Sequence, residues 1–217
     1  MMSLADLLPG QHSDEVRDHW WWRPGWRVGR RFYAFHITFE GQQALQALAA
    51  ACRSSLAHLP TVTLIPDQWL HLTMQGIGFT DELADPDVRD LAQRAGRIAA
   101  AIPAFEVDFA ELIVAGEAIV MPATPAGPVQ RLRAAARDAI AEVLGERRVV
   151  EDPDRFRPHV SIGYITADGA AAPYVAAVKR IHIDPVRVRI SRLDLIEMHR
   201  DQRMYEWHTV ARLPLGD

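Results

Sequence analysis

Two three-residue phrases, His71-Leu72-Thr73 and His159-Val160-Ser161, fall one in each half of the chain, and each lies inside an apolar, strand-like run. Side chains alternate faces along an extended strand. His71 and Thr73 therefore project together while Leu72 and Met74 project to the other side, and His159 and Ser161 do the same against Val160 and Ile162. An imidazole and a hydroxyl sharing one face of an otherwise apolar strand need a polar space to look into. A fold that satisfies both phrases at once sets the two strands on either side of one groove.

The segments around the two phrases follow the same order. Residues 31–39, rich in aromatic and β-branched side chains, read as a strand; 42–59 read as a helix stopped by Pro60; 61–65 read as a strand or hairpin and 69–74 as the first motif strand. The order returns as a strand at 118–121, a helix at 128–144 ended by Gly145, and the second motif strand at 156–165. Between the copies, Asp85-Pro86 opens a helix that runs to about 101, and 105–114 read as a strand joined to 118–121 through Gly116-Glu117. Residues 170–178 read as a short helix, and 186–190, 193–198 and 204–213 as closing strands with a hairpin turn at 200–203. This mixture predicts an α+β fold with a rough internal repeat. A third phrase, His36-Ile37-Thr38, aligns in that repeat with Ile119-Val120-Met121, where there is no histidine, and is placed at the margin of the groove.

Composition narrows the partners. At 49% hydrophobic and 24% charged, the chain can bury a real core, and a net charge of -4 argues against a basic surface that tracks long nucleic acid. A small nucleotide or the end of an RNA fits that balance. The single cysteine, Cys52, excludes an intrachain disulfide and a four-cysteine zinc cluster, and no compact His-x-x-x-His spacing suggests zinc. No signal core or long apolar span is present, so the expected compartment is the cytoplasm, without membrane contact, and the expected state is a monomer. Residues 1–30 form a Trp- and Arg-rich extension ahead of one domain at 31–217. Four of the six tryptophans crowd into Trp20-Trp21-Trp22-Arg23-Pro24-Gly25-Trp26, either to pack the extension against the domain or to lie over the groove as a lid.

The runs Trp69-Leu70-His71-Leu72-Thr73-Met74 and Phe156-Arg157-Pro158-His159-Val160-Ser161-Ile162 resemble the paired His-x-Thr/Ser signatures of the 2H phosphoesterase superfamily, in particular its RNA 2′,3′-cyclic phosphodiesterases, historically named 2′-5′ RNA ligases. The resemblance implies a bilobal, pseudo-twofold α+β fold, with antiparallel sheets lining a central groove and helices outside. It also implies metal-independent, cofactor-free hydrolysis of a 2′,3′-cyclic phosphate or a 2′-linked phosphodiester on an RNA end or small nucleotide. A noncatalytic nucleotide-binding module and RNA ligation are the alternatives.

Two imidazoles on opposite sides of a phosphorus can divide the work of base and acid, and two hydroxyls can meet its nonbridging oxygens. His71, His159, Thr73 and Ser161 are thus the catalytic candidates. His36, Tyr33, Arg157 and Tyr164 are the candidates for substrate contact. Arg157 stands two residues before His159 on the same strand face. Tyr164, where some members of the family carry arginine, lies on the opposite face of a regular strand unless a bulge at Gly163 turns it to the groove.

Overall fold

The computed structural model describes residues 10–149 and 152–217. Two four-stranded antiparallel sheets carry the architecture. The first contains β2 (Phe32–Thr38), β4 (His71–Phe79), β11 (Arg192–His199) and β12 (Glu206–Pro214), in the order β12-β11-β2-β4. The second contains β3 (Val62–Leu64), β6 (Ile113–Val114), β7 (Ala118–Pro122) and β8 (His159–Ile165), in the order β3-β8-β7-β6. Two small ladders flank them: β1 (Glu15–Val16) pairs with β9 (Gly169–Ala170), and β5 (Phe105–Phe109) pairs with β10 (Val186–Ile190). The expected strand at 105–114 is therefore two strands in different ladders.

The helices form where the sequence places them, with shifted ends. α1 (Gln43–Leu56) stops before Pro60 and turns Leu45, Leu48, Ala49, Cys52 and Leu56 into the core. α2 (Asp85–Ala99) starts at Asp85-Pro86, where proline's fixed φ suits the first turn and its missing N–H costs nothing. α3 (Ala126–Leu144) ends on Gly145, whose φ of 90° lies in the region that favours glycine. α4 (Ala172–Val178) is short.

The chain crosses repeatedly between the two halves. α1 follows β2 of the first sheet but packs on β8 and β3 of the second. α3 follows β7 of the second sheet but packs on β4 of the first and on α2. The sheets approach each other along β4 and β8, the two motif strands. One continuous core joins both halves, with Phe35, Phe39, Leu45, Leu72, Phe109, Ile119, Val160 and Leu195 among its fully buried side chains. A separate small cluster of Ala34, Ile196 and Met198 lies on the other face of the first sheet, beneath Phe32, Trp26 and Trp207.

The internal repeat is visible in the register. Thr38 pairs with His71 and His36 with Thr73 in the first copy; Pro122 pairs with His159 and Val120 with Ser161 in the second. Each motif strand then carries one extra residue directly after its hydroxyl, Met74 in β4 and Ile162 in β8. Such bulges re-aim the side chains that follow them.

The segment at 10–30 packs across both halves. Ser13, Arg17 and His19 donate backbone N–H groups to the carbonyls of Val114, Gly116 and Ile165, on the second sheet. Trp26 then packs on Phe32 and Phe79 of the first. Gly25, at φ 82°, passes so close to Phe79 that a Cβ there would stand 2.6 Å from its ring. Trp20 is buried, while Trp21 and Trp22 are exposed.

Candidate active site

β4 and β8 each open on a motif histidine, and both rings are held in the same way. His71 Nδ1 lies 2.8 Å from the carbonyl oxygen of Trp69, and His159 Nδ1 lies 2.7 Å from that of Arg157, in each case two residues back. A carbonyl oxygen only accepts. Nδ1 therefore carries the proton in both neutral rings, and Nε2 is left as the nitrogen with a lone pair. Thr73 is exposed and Ser161 partly so, which leaves both side chains within reach of a ligand.

The electrostatics keep these rings neutral. Burial lowers the pKa of His71 to about 4, against the upward pull of its bond to Trp69, and a charge on the nearby His159 opposes one on His71. His159 is lowered as well, again chiefly by burial, with its bond to Arg157 pulling the other way. His71, at 8% exposure, lies deeper than the partly exposed His159 and has a third imidazole against it.

That third imidazole is His36. Its ring lies flat against His71, with centroids 4.4 Å apart and planes 3° from parallel. At 1% exposure it reaches no substrate, which corrects its placement among the substrate-contacting residues. Both of its ring nitrogens are buried without a hydrogen-bond partner, and burial holds its pKa well below the ordinary value. His36 meets the candidate site through its stack on His71.

The other expected contacts sort differently. Tyr33 sits three residues before His36 on a strand with no bulge of its own, so it projects to the opposite face. It packs against the main core, and Glu197 pairs with it across the sheet. The structure thus turns Tyr33 away from the groove. Arg157 is also corrected: β8 begins at His159, so Arg157 shares no strand face with it, and its guanidinium turns back onto the carbonyls of Asp154 and Phe156.

Tyr164 does join the groove face, because the extra residue at Ile162 restores the alternation in its favour. Its ring is nevertheless covered, at 3% exposure, by His19 stacked on it with centroids 4.2 Å apart.

Aromatic side chains that the sequence reading did not single out complete the surroundings. Trp207 stands edge-on to His71 at 5.2 Å and to His36 at 5.8 Å, and Trp69 meets Trp207 at 4.8 Å. A cleft of about 380 Å³ opens beside this pair, lined also by Arg31, Glu197, His199, Glu206 and His208. Tyr205 stands edge-on to His71 at 6.2 Å, and its hydroxyl lies 3.2 Å from His19 Nε2. Trp69 had a local signal, being two residues ahead of His71. Trp207, Tyr205 and His19 had none, since only the folding of distant segments brings them here. Among the described residues, no three His, Cys, Asp or Glu side chains come together in a way that fits a metal ion, and no helix is long and apolar enough to cross a membrane.

Residues 51–202 match the family model of the 2′-5′ RNA ligase superfamily. No curated protein matches the chain by sequence. Among solved structures, a protein of Thermus thermophilus superposes with a TM-score of 0.65 at 18% identity, covering 87% of this chain and 99% of its own. Escherichia coli LigT, solved with 3′-AMP, superposes with a TM-score of 0.60 at 16% identity and the same coverage, and a further structure described as a phosphoesterase does so at 0.59 and 15%.

Proposed function

Since the chain belongs to the 2′-5′ RNA ligase superfamily and has the LigT-type 2H phosphoesterase fold, we propose that it is a metal-independent phosphodiesterase that hydrolyses a 2′,3′-cyclic phosphate, or a 2′-linked phosphodiester, on an RNA end or small nucleotide. The observation that carries this reading is the matched pair of imidazoles, each with Nδ1–H spent on the carbonyl two residues back and Nε2 left for chemistry. That LigT has been solved with 3′-AMP and with phosphate supports a nucleotide as the substrate class.

In this reading His71, the more deeply buried imidazole, is the base. Its Nε2 takes a proton from water as the water oxygen forms a bond to phosphorus. His159 is the acid, and its Nε2–H gives a proton to the ribose oxygen as the P–O bond to that oxygen breaks. The product is a phosphomonoester, and both imidazoles return to their starting forms after one proton exchange with solvent. Thr73 and Ser161 donate hydroxyl hydrogen bonds to the nonbridging oxygens, where negative charge builds up. Binding of the anionic phosphate raises both imidazole pKa values, which loads His159 with its proton at the moment it is needed.

The test is turnover of adenosine 2′,3′-cyclic phosphate in excess chelator, followed by phosphorus NMR. Wild-type protein is expected to turn over, and His71→Ala and His159→Ala are each expected to lose about 10²- to 10⁴-fold with the fold intact by circular dichroism. Undiminished turnover in both variants, or activity abolished by chelator, rejects the mechanism.

A further inference from the structure

His36 is a buried titratable side chain that the proposed reaction leaves without a task. The sheet sets it against His71. His36 of β2 pairs with Thr73 of β4, and Thr38 pairs with His71, so the two histidines are diagonal neighbours on adjacent strands, a spacing that aromatic side chains can bridge. Their rings lie 4.4 Å apart between centroids with planes 3° from parallel. Trp207 of β12 stands nearly perpendicular to both, at 78° to His36 and 80° to His71. The His71 ring is thus held by three contacts: the Trp69 carbonyl on Nδ1, His36 flat against it, and Trp207 across it.

What His36 lacks is equally informative. At 1% exposure, neither of its ring nitrogens has a hydrogen-bond partner among the described residues. Asp194, opposite it on β11, is fully buried too, but one carboxylate oxygen accepts from the Thr38 hydroxyl at 2.5 Å and from Arg192 at 3.2 Å. The other oxygen makes no hydrogen bond, to His36 or to any other described residue. With no carboxylate on either nitrogen nothing holds a proton on His36, and burial keeps the ring neutral. A histidine that passes protons needs a partner in line with a ring nitrogen. What this one offers its neighbour is its face.

A neutral aromatic face is the negative end of the ring quadrupole and attracts a cation placed over it. His71 is uncharged before the proposed reaction and becomes an imidazolium when its Nε2 takes the proton from water, so the stack strengthens as that charge appears. Resting on the phosphodiesterase reading, we infer that His36 is a positioning residue, a neutral aromatic plate that fixes the plane of the His71 ring and stabilises the positive charge His71 acquires, and that it carries no proton itself.

The experiment replaces His36 with Phe, Leu and Met and follows turnover of adenosine 2′,3′-cyclic phosphate. Phenylalanine keeps a flat aromatic face without a nitrogen; leucine and methionine are nearer to histidine in volume and have no such face. His36→Phe is expected to keep kcat within about threefold of wild type, and His36→Leu and His36→Met to lower it about tenfold with KM unchanged, because the plate acts on a charge that exists only once the proton has moved. A role in filling space predicts the reverse order of variants, and a role in carrying protons predicts that all three fail alike. Either pattern overturns the inference, as does wild-type kcat in a folded His36→Leu or His36→Met. None of the three leaves a buried nitrogen unpaired; circular dichroism checks each fold, and either nonplanar variant serves if the other is unfolded.

If the wild-type protein turns over no cyclic phosphate, the phosphodiesterase reading fails, and binding of adenosine 3′-monophosphate, followed by quenching of tryptophan fluorescence, decides the role of the plate. A phosphate dianion favours the charged form of His71, so affinity about tenfold weaker in His36→Leu and restored in His36→Phe supports the plate. Equal binding by wild type and variants, or binding by none, removes it.

Discussion

At the scale of single residues, the site is a matter of which hydrogen each group has left to give. Both motif imidazoles have committed Nδ1–H to backbone, so in the proposed reaction the oxygens of the transition state rely on Thr73 and Ser161 for neutral donors. Thr73→Val and Ser161→Ala are each expected to lower kcat by about 10²-fold or more, with little change in KM, because a donor aimed at developing charge works in the transition state and not before it. Tyr33→Phe is the control, since its ring packs against the main core on the face opposite His36; its kcat should match the wild type. These outcomes follow from strand parity, and parity was legible in the sequence. It paired His71 with Thr73 and His159 with Ser161, and it also contained the correction for Tyr33, whose odd offset from His36 already puts the two on opposite faces. Depth was not legible. Nothing local tells that His36 lies beneath His71 instead of beside it, because that depends on how β12 and Trp207 close over the sheet.

Single elements show why the rest was hidden. A bulge is one inserted residue with no consistent sequence mark, yet it decides the face of everything after it. In β8 the inserted Ile162 brings Tyr164 round to the groove, and the glycine between them is needed for space: a Cβ on Gly163 would stand 2.6 Å from Cγ1 of Val62 on β3 and 3.4 Å from the carbonyl oxygen of Thr63. Valine is stiff at χ1 and the strand backbone is held by its ladder, so neither neighbour gives way easily. Gly163→Ala is expected to destabilise the protein by about 1–3 kcal/mol, as overpacking does elsewhere, measured as a lowered urea midpoint with an unchanged slope. The helices were the easiest elements to read, with Pro86 and Gly145 marking their ends. β5 and β6 run together in the sequence because no Gly or Pro interrupts 105–114, and periodicity cannot tell where a chain leaves one ladder for another.

For the whole molecule, the buried histidines make folding a proton-linked equilibrium. His19, lowered to about 2 mainly by burial, and His71, lowered to about 4, are joined by His36 and His159, all of them below the ordinary 6.5. Above pH 6.5 neither the folded nor the unfolded chain protonates them, and they have no effect on the pH dependence. Below 6.5 the unfolded chain takes up protons that the folded chain refuses, and stability falls by about 1.4 kcal/mol per pH unit for each imidazole until its folded pKa is reached. The carboxylates Asp81, Asp108, Asp201 and Glu142 are lowered by their arginine or backbone partners from ordinary values of 3.8 to 4.5, so their contribution is lost only further into acid. Urea unfolding across pH 8 to 4.5 should therefore show a plateau above 6.5 and a decline below it with a slope of more than one proton. A flat profile over that range contradicts the burial of neutral imidazoles.

The alternating path of the chain between the two halves has a mechanical result. Because α1 belongs to one half by sequence and the other by packing, and α3 does the reverse, neither half is a body that can swing about a covalent pivot. Many clefts between lobes work by hinge closure. Here the distance between the two imidazoles is set by an interlaced core, like the gap of a caliper whose jaws have been woven together, and in the proposed reaction the phosphate must fit that gap as it stands.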